Sequence, residues 1–119
     1  MKTESETEFK MPFIYHIAAK ADWDRAKESG QYVVPSLKEE GFIHCSMEDQ
    51  VARVLERFYS DRKDVVVLCI DSRRLTSQLV YEWAPSMEAT FPHVYGSINT
   101  DAVTEVLSVE SVSTRKSVA

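Results

Sequence analysis

The amino-acid sequence predicts an α+β domain: a bent, mostly antiparallel, split sheet carrying two helices. Three observations lead there. Val65-Val66-Val67-Leu68-Cys69-Ile70 is apolar at every position, so it reads as a strand covered on both faces. Val51, Val54, Leu55 and Phe58 fall at i, i+3, i+4 and i+7, which puts them on one face of a helix. Strand-like segments outnumber helical ones, in an irregular order along the chain.

Taken in order, Phe13 to Ala18 reads as a buried strand. Asp22 is expected to cap a short helix that turns Trp23 and Ala26 inward and ends at Gly30. Gln31 to Leu37 looks like an extended segment or loop, followed by a turn through Lys38-Glu39-Glu40-Gly41. Phe42 to Cys45 is a second strand. Ser46 then has the character of an N-cap, with Glu48 and Asp49 suited to the first turn of the helix that follows. That helix should stop near Tyr59-Ser60-Asp61. After the Val65–Ile70 strand, Asp71-Ser72 caps a helical turn around Arg73-Arg74-Leu75. Leu79 to Trp83 alternates as a strand, Ala84 to Thr90 with Pro85 is a loop, and His93 to Ile98 begins another strand. Asn99-Thr100-Asp101 turns into a closing strand within Ala102 to Val109.

A chain of 119 residues, 44% hydrophobic and 28% charged, is suited to one globular domain. Residues 11–112 read as that domain, residues 1–10 as a disordered lead-in and residues 113–119 as a frayed tail. The net charge of −5 and pI near 5.2 weigh against coating an extended nucleic acid. The Val65–Ile70 run is far too short to cross a bilayer. The acidic start lacks the basic and apolar parts of a secretory signal. Cys45 and Cys69 fall in strands and form no C-x-x-C pair, as expected of reduced structural thiols in a cytoplasmic protein. The oligomeric state is left open.

The sharpest functional signal is the histidines. All three, His16, His44 and His93, sit in short apolar strand-like segments. An imidazole is costly to bury unless its nitrogens find partners, so three such placements suggest a cleft that gathers them. A three-histidine zinc site for hydrolysis is one reading, although no H-x-H or H-x-x-x-H spacing supports it, and no metal ligands are assigned. The other is a polar site for a small nucleotide-like molecule, catalytic or simply binding. Tyr15, Tyr32, Tyr81 and Tyr95 are available to stack a flat ring. Glu82 lies inside Val80-Tyr81-Glu82-Trp83, where it is either a functional carboxylate or an outward residue of an edge strand. Ser46 beside His44 offers helix-start amides to an anion. Cys45 should face away from His44, because adjacent strand residues alternate. Trp23 and Phe58 read as core by their helical phase, and Arg62-Lys63 and Arg73-Arg74 as solvated turns.

Ile14-Tyr15-His16-Ile17-Ala18, Asp22-Trp23, Glu40-Gly41-Phe42-Ile43-His44-Cys45-Ser46, Phe58-Tyr59 and Phe91-Pro92-His93-Val94-Tyr95-Gly96 occur in that order. Together they resemble the small bacterial family called domain of unknown function 952, over Phe13 to about Leu107. That family is distantly similar to the ADP-ribosyltransferase fold, in which a split, bent sheet holds NAD in a cleft. The resemblance implies an ADP-ribosyltransferase-like fold and a transferase or hydrolase acting on NAD or a related ADP-ribosyl or nucleotide compound. NAD would then be a substrate, and no tightly held cofactor is implied. In that scheme His16 holds a ribose hydroxyl, and Tyr15, Ser46 and Tyr95 help bind the ligand. His44 lies near the reacting ribose, and Glu82 and His93 compete for the third catalytic position. Ile17 and Ala18 stand where those transferases commonly carry glycine and threonine, which favours the alternative of a noncatalytic binding module.

Overall fold

The computed structural model describes residues 12–112. The expected lead-in and tail, residues 1–10 and 113–119, lie outside the described residues. The described residues form one compact α+β domain with three antiparallel sheets. The first has the order β1 (Phe13–Ala19), β4 (Val65–Asp71), β8 (Val103–Leu107). The second pairs β2 (Gln31–Tyr32) with β7 (Ile98–Asn99). The third has the order β3 (Ile43–His44), β6 (Ala89–Tyr95), β5 (Gln78–Ala84).

The all-apolar strand is central, as expected: β4 pairs with β1 on one side and β8 on the other. Alternation then sends its side chains to two separate cores. Leu68 and Ile70 pack with Ile14, Ala18, Trp23, Tyr32, Ile43, Val94 and Ile98. Val65, Val67 and Cys69 pack with Tyr15, Ile17, Val51, Leu55 and Leu107. Burying a Leu or Ile side chain contributes about 1.5–3 kcal/mol, so the strand that serves both cores anchors the domain.

Among the described residues three helices stand where two were expected: α1 (Lys20–Ser29), α2 (Pro35–Glu40) and α3 (Val51–Tyr59), with a further helical turn at residues 109–112. α1 does bury Trp23 and Ala26, but Asp22 is not its cap. The helix follows directly on β1, Ala19 is the capping residue, and the Lys20 amide donates to the Asp64 carbonyl at 2.8 Å. An early helical amide is therefore satisfied by the neighbouring chain and not by a side chain. Asp22 sits in the first turn and pairs with Arg25.

The expected extended segment holds at its start, where Gln31–Tyr32 forms β2, but α2 replaces its end and the turn that should follow. Pro35 opens it with a preset φ, and Gly41 closes it at φ +92°, a conformation that glycine adopts without steric cost. Ser46 is likewise not a cap. Its amide donates to the Tyr15 carbonyl and its carbonyl accepts from the Tyr15 amide, each at 2.7 Å, so a backbone bridge to β1 has claimed it. A 3-10 turn over Glu48–Gln50 leads into α3, and the Gln50 side chain accepts from the Met47 amide at 2.9 Å.

The Asp71 cap is present: its carboxylate accepts from the Arg73 amide at 3.0 Å. The Arg73 guanidinium beside it, assisted by Arg74, holds that carboxyl below the usual carboxylate range. The loop expected over Ala84 to Thr90 is shorter than foreseen, because β5 and β6 run into the same tight hairpin and pair Ala84 with Ala89. Among the described residues no helix is long and apolar enough to cross a membrane.

Gly96, just past β6, has φ +154°, and a Cβ there would clash with Ser77 Oγ and lie 2.8 Å from Ser77 Cβ. Ser77 Oγ is itself committed to the Ser97 carbonyl at 2.7 Å. Gly96→Ala is expected to destabilise the domain by about 1–3 kcal/mol, read as a lowered urea midpoint; an unchanged midpoint would show that this corner relaxes freely.

Candidate functional site

A cleft of about 640 Å³ is lined by residues from nearly every part of the fold, including His16, His44 and His93. The volume lies within the range of small-molecule sites. The three histidines thus share a cavity, but they enter it in two different states.

His16 is fully engaged. Its Nδ1 lies 2.5 Å from the His44 carbonyl oxygen and its Nε2 lies 2.8 Å from the Tyr32 hydroxyl. A carbonyl can only accept, so Nδ1 carries the proton and the Tyr32 hydroxyl donates to Nε2. Burial lowers the His16 pKa from its ordinary 6.5 to about 4, even though the carbonyl contact acts in the opposite direction. Tyr32 is 1% exposed, and burial pushes its phenol well above the usual range. Both ring nitrogens of the residue expected to hold a ribose hydroxyl are therefore occupied by the protein.

His44 and His93 form the open pair. They are directly opposed in the β3–β6 register, which places both side chains on one face of the third sheet. Their ring centroids are 5.4 Å apart, edge to face. Phe42 stacks on His93 at 4.0 Å and holds the plane of that ring. Glu82 pairs with Phe91 and His93 with Val80, so the two are diagonal neighbours on this same face. His93 Nδ1 donates to Glu82 Oε1 at 2.6 Å, and the Tyr95 hydroxyl donates to the same oxygen at 2.7 Å. The Tyr95 hydroxyl, and then His93, hold the Glu82 carboxyl below the usual range, so it stays ionised. His44 Nε2 has a carboxylate of its own, Glu40 Oε1, at 3.1 Å.

The remaining expectations divide. Glu82 and His93, which appeared as competitors, act as one hydrogen-bonded unit. Ser46 lines the cleft, as a strand-like residue and not as a helix start. Tyr15 packs in the core beneath α3 and is not among the lining residues. Tyr95 touches Glu82, and neither of the two is a lining residue: Glu82 reaches the cleft through His93. Cys45 is buried in the first core, where burial pushes its thiol up, but it also borders the cleft, so it is not wholly turned away from it. Among the described residues no three His, Cys, Asp or Glu side chains gather as metal ligands. With His16 committed to Tyr32 and a carbonyl, the three-histidine zinc site does not form.

Four contributors were not foreseen as such. Phe42 and Glu40 were legible in principle, standing two and four residues before His44. Phe58 was assigned to the core by its phase, yet it is 57% exposed and lines the cleft. Trp83 lines it as well and is 62% exposed.

The engagement of His16 gives stability a pH dependence. The unfolded chain protonates His16 near 6.5 and the folded chain only near 4, so between those values the unfolded state binds the extra proton. Stability present above pH 6.5 is lost as pH falls toward 4, by on the order of 3 kcal/mol. Histidine-resolved NMR titration should find His16 neutral, with its proton on Nδ1, through most of that window and titrating only at its acid end, near pH 4. A His16 midpoint near 6.5 would contradict the arrangement.

No curated protein matches the chain. Among solved structures it is similar to protein CC0527 from Caulobacter crescentus. In the X-ray crystal structure of that protein the identity is 28%, the TM-score is 0.73, and the match covers 81% of this chain and 84% of the other. In the solution NMR structure of CC0527 the identity is again 28%, the TM-score is 0.70, and 82% and 84% are covered. Residues 17–106 match the family described as Protein of unknown function (DUF952). That span takes in the paired strands bearing His44, Glu82 and His93, and with most of the chain inside it the protein belongs to the DUF952 family.

Proposed function

We propose that the cleft is the active site of an enzyme that acts on NAD or a related ADP-ribosyl or nucleotide compound. The observation that carries this reading is the 2.6 Å hydrogen bond from His93 Nδ1 to the Glu82 carboxylate. A carboxylate in that position fixes the tautomer that leaves Nε2 as the base, and it stabilises the imidazolium once a proton arrives. Tyr95 keeps the carboxylate ionised by donating to the same oxygen.

In this mechanism His93 Nε2 takes a proton from water or an acceptor hydroxyl. The oxygen of that nucleophile bonds to the anomeric carbon of the ribose. The glycosidic bond breaks, and its electron pair leaves with the departing base. His44, on the adjacent strand and edge-on to His93, orients the nucleophile or the sugar. His16 does not touch substrate: it holds the His44 carbonyl and thereby the strand on which His44 sits. The ADP-ribosyl substrate class draws on the resemblance to the ADP-ribosyltransferase fold, which is a weaker warrant than the site chemistry.

A second reading, a noncatalytic module for the same ligands, is favoured by Ile17. This branched residue lines the cleft next to the histidine after which the transferases carry glycine.

Turnover of NAD and ADP-ribose, followed by chromatography, tests the proposal. His93→Ala should lower the rate by about 10²–10⁴-fold, the usual contribution of a general base, and Glu82→Gln should lower it by a smaller factor. Rates that survive both changes would remove His93 as the base. A wild-type protein that turns over neither compound, yet shows ligand-induced shifts at the His44 and His93 rings, would establish the binding module.

A further inference from the structure

We propose that Phe58 and Trp83 form the seat for a flat heteroaromatic ring of nucleobase type at the mouth of the cleft. The proposal rests on the reading of this cleft as a nucleotide site, and it names the part of the ligand that the protein recognises.

Phe58 ends the apolar face of α3. Val51 and Leu55 on that face are buried, whereas Phe58, one turn further on, is 57% exposed. The apolar stripe thus runs past the core and into the cleft. Trp83, 62% exposed, comes from β5 in the third sheet. Both residues are among those that line the same cavity, and their rings do not stack on each other. Two large aromatic side chains left open to solvent from separate elements of one cavity are what a π-face ligand requires.

The surroundings argue for recognition by the ring plane over recognition by charge. The Arg57 guanidinium lies 5.5 Å from the Phe58 ring centroid and packs on the aromatic that the ligand would meet. Arg62, the basic residue among the lining side chains, is committed to Asp64 through two hydrogen bonds of 2.7 and 2.8 Å. Asp22, also lining, is paired with Arg25. The charged lining groups Arg62 and Asp22 are thus matched within the protein, and the exposed aromatic faces are what this wall offers to a ligand. The cavity extends from them to the His44–His93 pair, so a nucleoside seated by its base would direct its sugar toward those histidines.

The two tryptophans make a direct test, because Trp23 is 7% exposed and Trp83 is 62% exposed. The full chain is titrated with AMP and, separately, with ribose 5-phosphate, while tryptophan emission is followed. AMP should quench the emission and ribose 5-phosphate should not. Trp83→Leu should abolish the quench. By calorimetry, Trp83→Leu and Phe58→Ala should each weaken AMP binding by about tenfold, as loss of a stacking partner does, with the thermal midpoint unchanged. Phe58→Leu, which keeps the bulk and removes the π-face, replaces Phe58→Ala should the latter melt early. Ribose 5-phosphate binding as tightly as AMP, AMP failing to bind at millimolar concentration, or both variants binding AMP as the wild type does would each overturn the proposal. The outcome separates from the catalytic reading: AMP seated by Trp83 in a protein without NAD turnover sinks the reaction alone, whereas His93-dependent turnover with wild-type affinity in both aromatic variants sinks the seat alone.

Discussion

One imidazole joins the three sheets. His16 belongs to β1 in the first sheet, Tyr32 to β2 in the second and His44 to β3 in the third, and the His16 ring is hydrogen-bonded to both of the others. β2 and β3 are two residues long each, too short to hold position by ladder bonds alone. A buried, neutral histidine that donates on one side and accepts on the other fixes both of them against the central β1–β4 pair. The backbone bridge between Tyr15 and Ser46 reinforces the same junction from the adjacent residues. The cleft exists because these short strands are held at the seam between sheets.

That arrangement divides the polar work of the cavity. His16 is spent on architecture, and His44 and His93 remain open for chemistry. The division follows from solvation: an imidazole whose two nitrogens are satisfied inside the protein can be buried at little cost, whereas a base needs one nitrogen facing the ligand. Glu82 supplies the asymmetry on the same face of the third sheet. It occupies Nδ1 of His93, and Tyr95 competes for the same carboxylate oxygen without displacing the ring.

Much of the fold was legible where the local pattern and the tertiary role coincide. Val65 to Ile70 is apolar throughout because both of its faces are covered. Trp23 and Ala26 sit at helical spacing because α1 buries one stripe. α2 gave no periodic signal because none of its residues is buried, and only Pro35 and Gly41 mark its ends. Ser46 has the composition of a helix cap, but a cross-chain bridge to Tyr15, thirty-one positions earlier, had already claimed its backbone. At the site, the residue types were legible and their pairing was not. Nothing local to Glu82 or His93 reveals that a hairpin sets them diagonally across one sheet face. Phe58 kept its helical phase and still faces solvent, because α3 outlasts the core that covers its first two turns.

The brevity of β3 has a mechanical consequence. His44 is carried by two paired residues, while His93 sits inside a seven-residue strand bonded on both sides. Parting β3 from β6 breaks few hydrogen bonds and leaves the β1–β4–β8 core whole, so the histidine pair can come apart at a small fraction of the cost of unfolding the domain. The site and the fold are therefore stabilised on separate scales, and the weaker element is the one that carries half of the pair.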